Sequence, residues 1–162
     1  MDTEGIQTIR CERVRPGASL PVRMTAGSAG WDLTACVERP LAIEPGSRCL
    51  VPTGLALAIP PGMEGAIRPR SGLALRSGVG VLNSPGTIDS DYRGEVQILL
   101  VNLGTEPYVV EHGARIAQIV FQRLPAVGIE WGRIDETARG AGGFGHTGSG
   151  RDDGPQGREA GA

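Results

Sequence analysis

Asn83-Ser84-Pro85-Gly86-Thr87-Ile88-Asp89-Ser90-Asp91-Tyr92-Arg93-Gly94 is the stretch whose reading decides the fold. Pro85 presets φ for a turn and Gly86 is free to take a positive φ. Gly94 closes the far end. Val79, Val81 and Leu82 precede the stretch, and Val96, Ile98, Leu99, Leu100 and Val101 follow it. Two apolar runs around a turn signal predict a hairpin between two strands. The return arm carries two carboxylates, an arginine and one of the chain's 2 tyrosines. On a strand, Asp89 and Asp91 share a face and Tyr92 points the other way. Taken alone, Asp-Ser-Asp in a loop equally suits a solvated turn.

The surroundings narrow the choice. At 162 residues the chain is one domain with room for tails. Aromatic residues are only 4%, so the core has to be aliphatic. The 26 glycines and 12 prolines favour many turns over long helices. A formal charge of −2 provides no global attraction for nucleic acid or an anionic membrane. Every basic residue is arginine, which excludes a lysine nucleophile or Schiff base. Cys11, Cys36 and Cys49 lack the spacing of a zinc site or a disulfide framework. With no signal pattern and no membrane-length apolar run, the expectation is a soluble cytoplasmic protein.

Outward from the hairpin, residues 6–15 suit an edge strand, and Ser47–Ile59 and Gly65–Arg68 read as strands. Thr25–Leu33 is a small-residue run that permits close backbone approach and then presents Asp32. In Arg70–Arg76, Ser71 suits the cap of a short helix, with Arg70 beside it. Glu95–Asn102 and Tyr108–Glu111 are strands joined near Gly104. In Arg115–Phe121, Ile116 and Val120 share a face with polar Gln118 between them, and a buried glutamine needs partners. Val127–Ile134 is the last strand candidate. Arg139–Gly148 is glycine-rich but carries Arg139 and Phe144, unlike a plain linker. It lacks the ending of a P-loop. Short strands at close spacing with one small helix predict an all-β barrel or sandwich.

Together, Ala26–Leu33, Pro69–Ala74, Gly86–Val96, Arg115–Phe121 and Arg139–Gly148 resemble, in order, the five motifs of the trimeric dUTPase family. The resemblance implies a distorted jelly-roll β-barrel of the β-clip type with one short helix and a flexible C-terminal arm. It implies a core over 1–138, a mobile active-site arm over 139–148 and a disordered tail over 149–162. The implied activity is hydrolysis of dUTP to dUMP and pyrophosphate with Mg²⁺, which keeps uracil out of DNA and supplies dUMP for dTMP synthesis. A homotrimer with shared active sites, and no nucleic-acid or membrane partner, is implied as well.

By the same resemblance, Asp89 activates the attacking water and Tyr92 packs on the deoxyribose. Asn83 faces the uracil, with Gly86, Thr87 and Ile88 beside it. Arg70, Ser71, Gly72 and Gln118 contact the triphosphate from another subunit, and Asp32 reaches Mg²⁺ through water. A third subunit's Arg139 and Phe144 cover the nucleotide, with Gly145, His146 and Thr147 on the γ-phosphate. Trp31 stands where tyrosine is common, and His146 where serine is common. Arg68, Arg76, Arg93 and Arg115 also lie near the motifs. Ordering a residue costs about 1–2 kcal/mol, whereas stacking Phe144 on a base gains about 1–3 kcal/mol. The arm is therefore expected to close only when phosphate charge contributes too. The rivals are a dCTP deaminase of the same superfamily and a nucleotide-binding or interaction module without catalysis. The deaminase would want its carboxylate at the base ring.

Overall fold

The computed structural model describes residues 7–143. The chain divides into two compact units, Met1–Ala126 and Val127–Ala162. Among the described residues the first unit holds every strand and the one helix. One sheet has the order β1(Arg10–Arg13), β4(Arg48–Ala58), β8(Glu95–Asn102), β6(Val79–Val81). The other has β2(Trp31–Thr34), β10(Arg115–Arg123), β5(Met63–Arg68), β7(Gly86–Ile88). A two-stranded ribbon pairs β3(Leu41–Ile43) with β9(Tyr108–Val110). The helix, α1, spans Ser71–Ser77. The architecture is the expected all-β one with a single short helix.

The inner faces are aliphatic. Val51, Val79, Leu100, Ile116 and Ile119 are fully buried, and among the described residues no aromatic side chain is buried. Each such side chain contributes about 1.5–3 kcal/mol relative to exposure. Among the described residues two polar side chains are buried, and both are bonded. Asn102 donates to the carbonyls of Ile43 and Glu106, each at 2.8 Å, and accepts from the Gly104 N–H at 2.9 Å. It thereby pins the ribbon and the turn after β8 to the sheet. Thr53 Oγ1 donates to the Val96 carbonyl at 2.6 Å.

The decisive hairpin forms, with an addition. β6 and β8 pair antiparallel, Val79 opposite Asn102 and Val81 opposite Leu100. Their connecting loop carries β7, which leaves this sheet and pairs with β5 in the other, Gly86 opposite Ile67. The loop therefore stitches the two sheets together. It is anchored where it re-enters β8. Glu95 accepts from Arg15 Nε at 2.6 Å, Arg15 Nη2 at 2.9 Å and the Gly54 N–H at 2.8 Å. Gly54 sits at φ 72° in an irregularity of β4. A Cβ there would lie 2.6 Å from the Ala18 methyl, so only glycine fits.

Several local expectations change. β7 ends at Ile88, so Asp89 and Asp91 lie on a turn and share no strand face; the Tyr92 N–H donates to the Asp89 carbonyl at 3.2 Å. Arg70, in extended conformation, is the residue before the helix, and no side chain caps it; Ser71 is already helical. In β10 a register shift between Arg115 and Ala117 puts Ile116 and Ala117 both inside. Gln118 and Val120 share a face as expected, whereas Ile116 parts from them and is buried, as Ile119 is. β9 pairs with β3 and makes no hairpin with β8. Val127–Ile134 is not a strand in the single chain, and Ile129 and Trp131 are fully exposed.

The Arg15 hydrogen bond holds the Glu95 carboxyl below its ordinary pKa, assisted by the Gly54 N–H and opposed by partial burial. A lowered folded-state pKa stabilises the fold above the unfolded value of about 4.3, and the stabilisation is lost as pH falls through the folded value. Glu95→Gln should therefore lower the urea midpoint at neutral pH. Measured against pH, the gap from wild type should close on acidification below the ordinary glutamate range.

Candidate active site

Three of the five segments converge on Asp32. The loop before it is closed by reciprocal backbone bonds between Val22 and Asp32, at 2.8 and 3.2 Å. Arg23 fills the loop, donating to the carbonyls of Ala26 at 2.6 Å and Ser28 at 2.7 Å. Its guanidinium carbon lies 5.8 Å from the centre of the Trp31 ring, a cation–π arrangement. Asp32 stands opposite Gln118 on β10, and Gln118 opposite Arg68 on β5. The Gln118 amide donates to the Pro69 carbonyl at 2.9 Å. Its oxygen occupies the space where a Cβ on Gly30 would fall, which is why the small-residue run ends in glycine.

The half-buried Asp32 carboxylate accepts from Arg70 Nε at 3.0 Å through Oδ1 and from Arg115 Nη1 at 3.2 Å through Oδ2. Arg70 also reaches the Arg115 carbonyl at 3.3 Å. Two guanidinium groups and one carboxylate leave this corner with a net positive charge. Arg115 was legible in the sequence only as one arginine near the motifs. Its partnership with Asp32 arises from β10 lying beside β2.

The hairpin loop forms the second locus. The Asn83 amide lies over Gly86, 3.1 Å from where a Cβ would sit. Tyr92 Oη donates to the Glu95 carbonyl at 3.0 Å, and its ring lies against the bare Cα of Gly94. Thr87, Ile88, Tyr92 and Glu95 line a hollow of about 400 Å³. Asp89 is exposed at the end of β7, and among the described residues its carboxylate has no hydrogen bond or ion pair.

Asp32 and the hairpin loop stand on opposite edge strands of one sheet, with Arg115 on β10 and Arg70 just after β5 between them. Trp31, Ile119, Ile67 and Gly86 stand in one row across it. Three strand spacings of about 4.8 Å separate the ends by roughly 14 Å. In the second unit, Arg139 Nε donates to the Gly142 carbonyl at 2.9 Å. Phe144, Gly145, His146 and Thr147 lie outside the described residues. Among the described residues no three His, Cys, Asp or Glu side chains converge as a metal cage. A single carboxylate beside a phosphate site is still what Mg²⁺ commonly uses, since it keeps much of its water and takes oxygens from phosphates.

The dUTPase family model matches residues 17–148. The chain belongs to the dUTPase family. Over 147 residues it is 55% identical to the deoxyuridine 5'-triphosphate nucleotidohydrolase of Methylocella silvestris, covering 88% of this chain and 92% of that one. The enzyme of the same name from Mesorhizobium japonicum is 58% identical over 136 residues, covering 82% and 84%. Among solved structures, the dUTPase of Staphylococcus bacteriophage 80alpha with dUpNHpp superposes with a TM-score of 0.79 at 23% identity, covering 88% of this chain and 99% of that one. A dUTPase from a phage of S. aureus gives a TM-score of 0.72 at 19% identity, covering 79% and 98%. These two establish the shared dUTPase fold. No helix among the described residues is long and apolar enough to cross a membrane.

Gly94 leaves no room for a side chain beside the Tyr92 ring. A Cβ there would fall 2.6 Å from Tyr92 Cζ, so Gly94→Ala should expel the ring. A crystal structure of the variant is expected to show Tyr92 Oη detached from the Glu95 carbonyl, with both sheets unchanged.

Proposed function

We propose that this chain hydrolyses dUTP to dUMP and pyrophosphate, with water attacking the α-phosphorus. The observation that carries the reading is the 55% identity to a named deoxyuridine 5'-triphosphate nucleotidohydrolase over nearly the whole of both chains. Asp89 is the base: its carboxylate is exposed and free of partners among the described residues, as suits a group that must accept a proton from water. Uracil sits at the hairpin by Asn83, Gly86, Thr87 and Ile88. Tyr92, braced on Glu95, walls the sugar and rejects a ribose by its bulk.

The polyphosphate lies on Arg70, Ser71, Gly72 and Gln118. A base contributes about 10²–10⁴-fold, short of the roughly 10⁶-fold or more typical of enzymes. Charge stabilisation by the arginines supplies much of the remainder. Mg²⁺, when bound, neutralises phosphate charge and templates the phosphate oxygens. Asp32 is the side chain that holds it, through water. The dUTPase of the S. aureus phage phi11 coordinates a structural Mg(II) ion, which accords with this.

The working form is a homotrimer with shared sites. In one chain Asp32 and the hairpin stand on opposite edge strands of a sheet, and in the trimer a hairpin is served by the corner of another copy. Val127, Ile129 and Trp131 alternate with Gly128, Glu130 and Gly132 and are exposed in the single chain. Such a segment gains by burying its apolar side against a neighbour. Arg139 and Phe144, with Gly145, His146 and Thr147, close over the nucleotide from a third copy. Residues 1–138 act as the core, 139–148 as the arm and 149–162 as the tail. Free thiols at Cys11, Cys36 and Cys49 accord with a reducing compartment such as the cytoplasm.

Pyrophosphate release across dUTP, dTTP, dCTP and UTP, with and without Mg²⁺, tests the reading; turnover of dUTP alone is expected, and release of ammonia from dCTP would replace it. Asp89→Asn should bind dUTP as wild type does while hydrolysis falls at least about 100-fold. Removing the residues after Ala138 should leave the thermal midpoint near wild type and abolish most turnover; full activity in the truncated form would refute the role of the arm.

A further inference from the structure

Two arginine–carboxylate arrangements among the described residues differ in kind. Arg15 and Glu95 form a two-pronged pair, Nε to Oε1 at 2.6 Å and Nη2 to Oε2 at 2.9 Å, reinforced by a backbone N–H. That is the geometry of a permanent clamp. Asp32 instead divides one carboxylate between two arginines, each offering a single prong, at 3.0 and 3.2 Å. The Asp32 side chain is 12% exposed, Arg70 24% and Arg115 45%, so solvent reaches the arginines from the open side. Arg115 keeps its Nε–Nη2 pair unused, and Arg70 keeps Nη2, its Nη1 resting on the Arg115 carbonyl at 3.3 Å.

We infer that Asp32 is a placeholder for phosphate: it holds Arg70 and Arg115 in position while the site is empty and hands both to the incoming polyphosphate. This rests on the dUTP reading above and adds Arg115 to the phosphate contacts. A phosphate chain offers each arginine the two-pronged partner that a shared carboxylate denies it. Released from the arginines, Asp32 is free to accept hydrogen bonds from the water shell of Mg²⁺. The exchange keeps charge matched throughout. In the empty site one carboxylate moderates two cations; in the filled site phosphate takes the cations and the metal takes the carboxylate. It also explains how one carboxylate serves a metal although no cage of carboxylates surrounds it among the described residues. The metal is then captured together with the nucleotide, and each tightens the other's binding.

The test is calorimetric titration of the full chain with the non-hydrolysable analogue dUpNHpp, in chelator and in Mg²⁺. If Asp32 competes with phosphate for the arginines, Asp32→Asn should bind the analogue about tenfold more tightly than wild type in chelator. The gain in affinity from Mg²⁺ should shrink by a similar factor. Unchanged or weaker binding in chelator, or an undiminished Mg²⁺ gain, would overturn the exchange. A second measurement avoids the variant altogether. In crystals of wild type with dUpNHpp and Mg²⁺, both Asp32–arginine distances should open beyond hydrogen-bond range. Contacts still near 3 Å would overturn the exchange while leaving the dUTP reading intact. Failure of wild type to bind dUpNHpp at all would remove the dUTP reading and the exchange with it.

Discussion

Strands β6 and β8 are partners in one sheet, yet the strand inside the loop that joins them belongs to the other. Most of the structure follows from that constraint. A loop that must leave one sheet, pair across a gap and return has little freedom at its ends. Its return is held by Glu95, which is itself tied to Arg15 and to the irregularity of β4 at Gly54. Asp89 and Tyr92 lie between these two fixed points. A residue offered to substrate from a loop needs such support, because an unsupported loop spends conformational entropy on every encounter.

The same economy governs the arginines. Arg15 and Arg23 are bound inside the chain, one to a carboxylate and one to loop carbonyls, and their work is structural. Arg70 and Arg115 share Asp32 and face solvent. In a chain of net charge −2, a polyanion is attracted only if positive charge is gathered locally. The adjacency of β2 and β10 does the gathering. It brings Arg115 to Asp32, while the step from β5 into α1 brings Arg70 to the same carboxylate.

Much of this was legible in the chain itself. Alternation in β4 and β8 and the turn signal at Pro85-Gly86 mark real strands and a real hairpin, because strand periodicity and turn chemistry are local properties. The five ordered segments identify the family for a related reason: residues that bind one ligand keep their types and order even where they are far apart in the chain. The misread places all involve a partner that the local pattern does not name. Ile116 left the face of Gln118 and Val120 because a register shift beside Arg115 altered the parity of β10. Tyr108–Val110 chose Leu41–Ile43 over its neighbour β8. Val127–Ile134 has the alternation of a strand and forms none among the described residues.

By itself, then, the order of residues determined the all-β class, the aliphatic core, the hairpin and the side chains able to carry chemistry. Tertiary structure alone decided that the hairpin loop spans both sheets and that Glu95 anchors it. It also decided that Asp32 sits between two arginines, and that Asp32 and the hairpin occupy opposite edge strands of one sheet. The physical reason is that a strand's tendency to form is written in its own residues, whereas its neighbour is chosen by what remains unpaired once the other strands have packed.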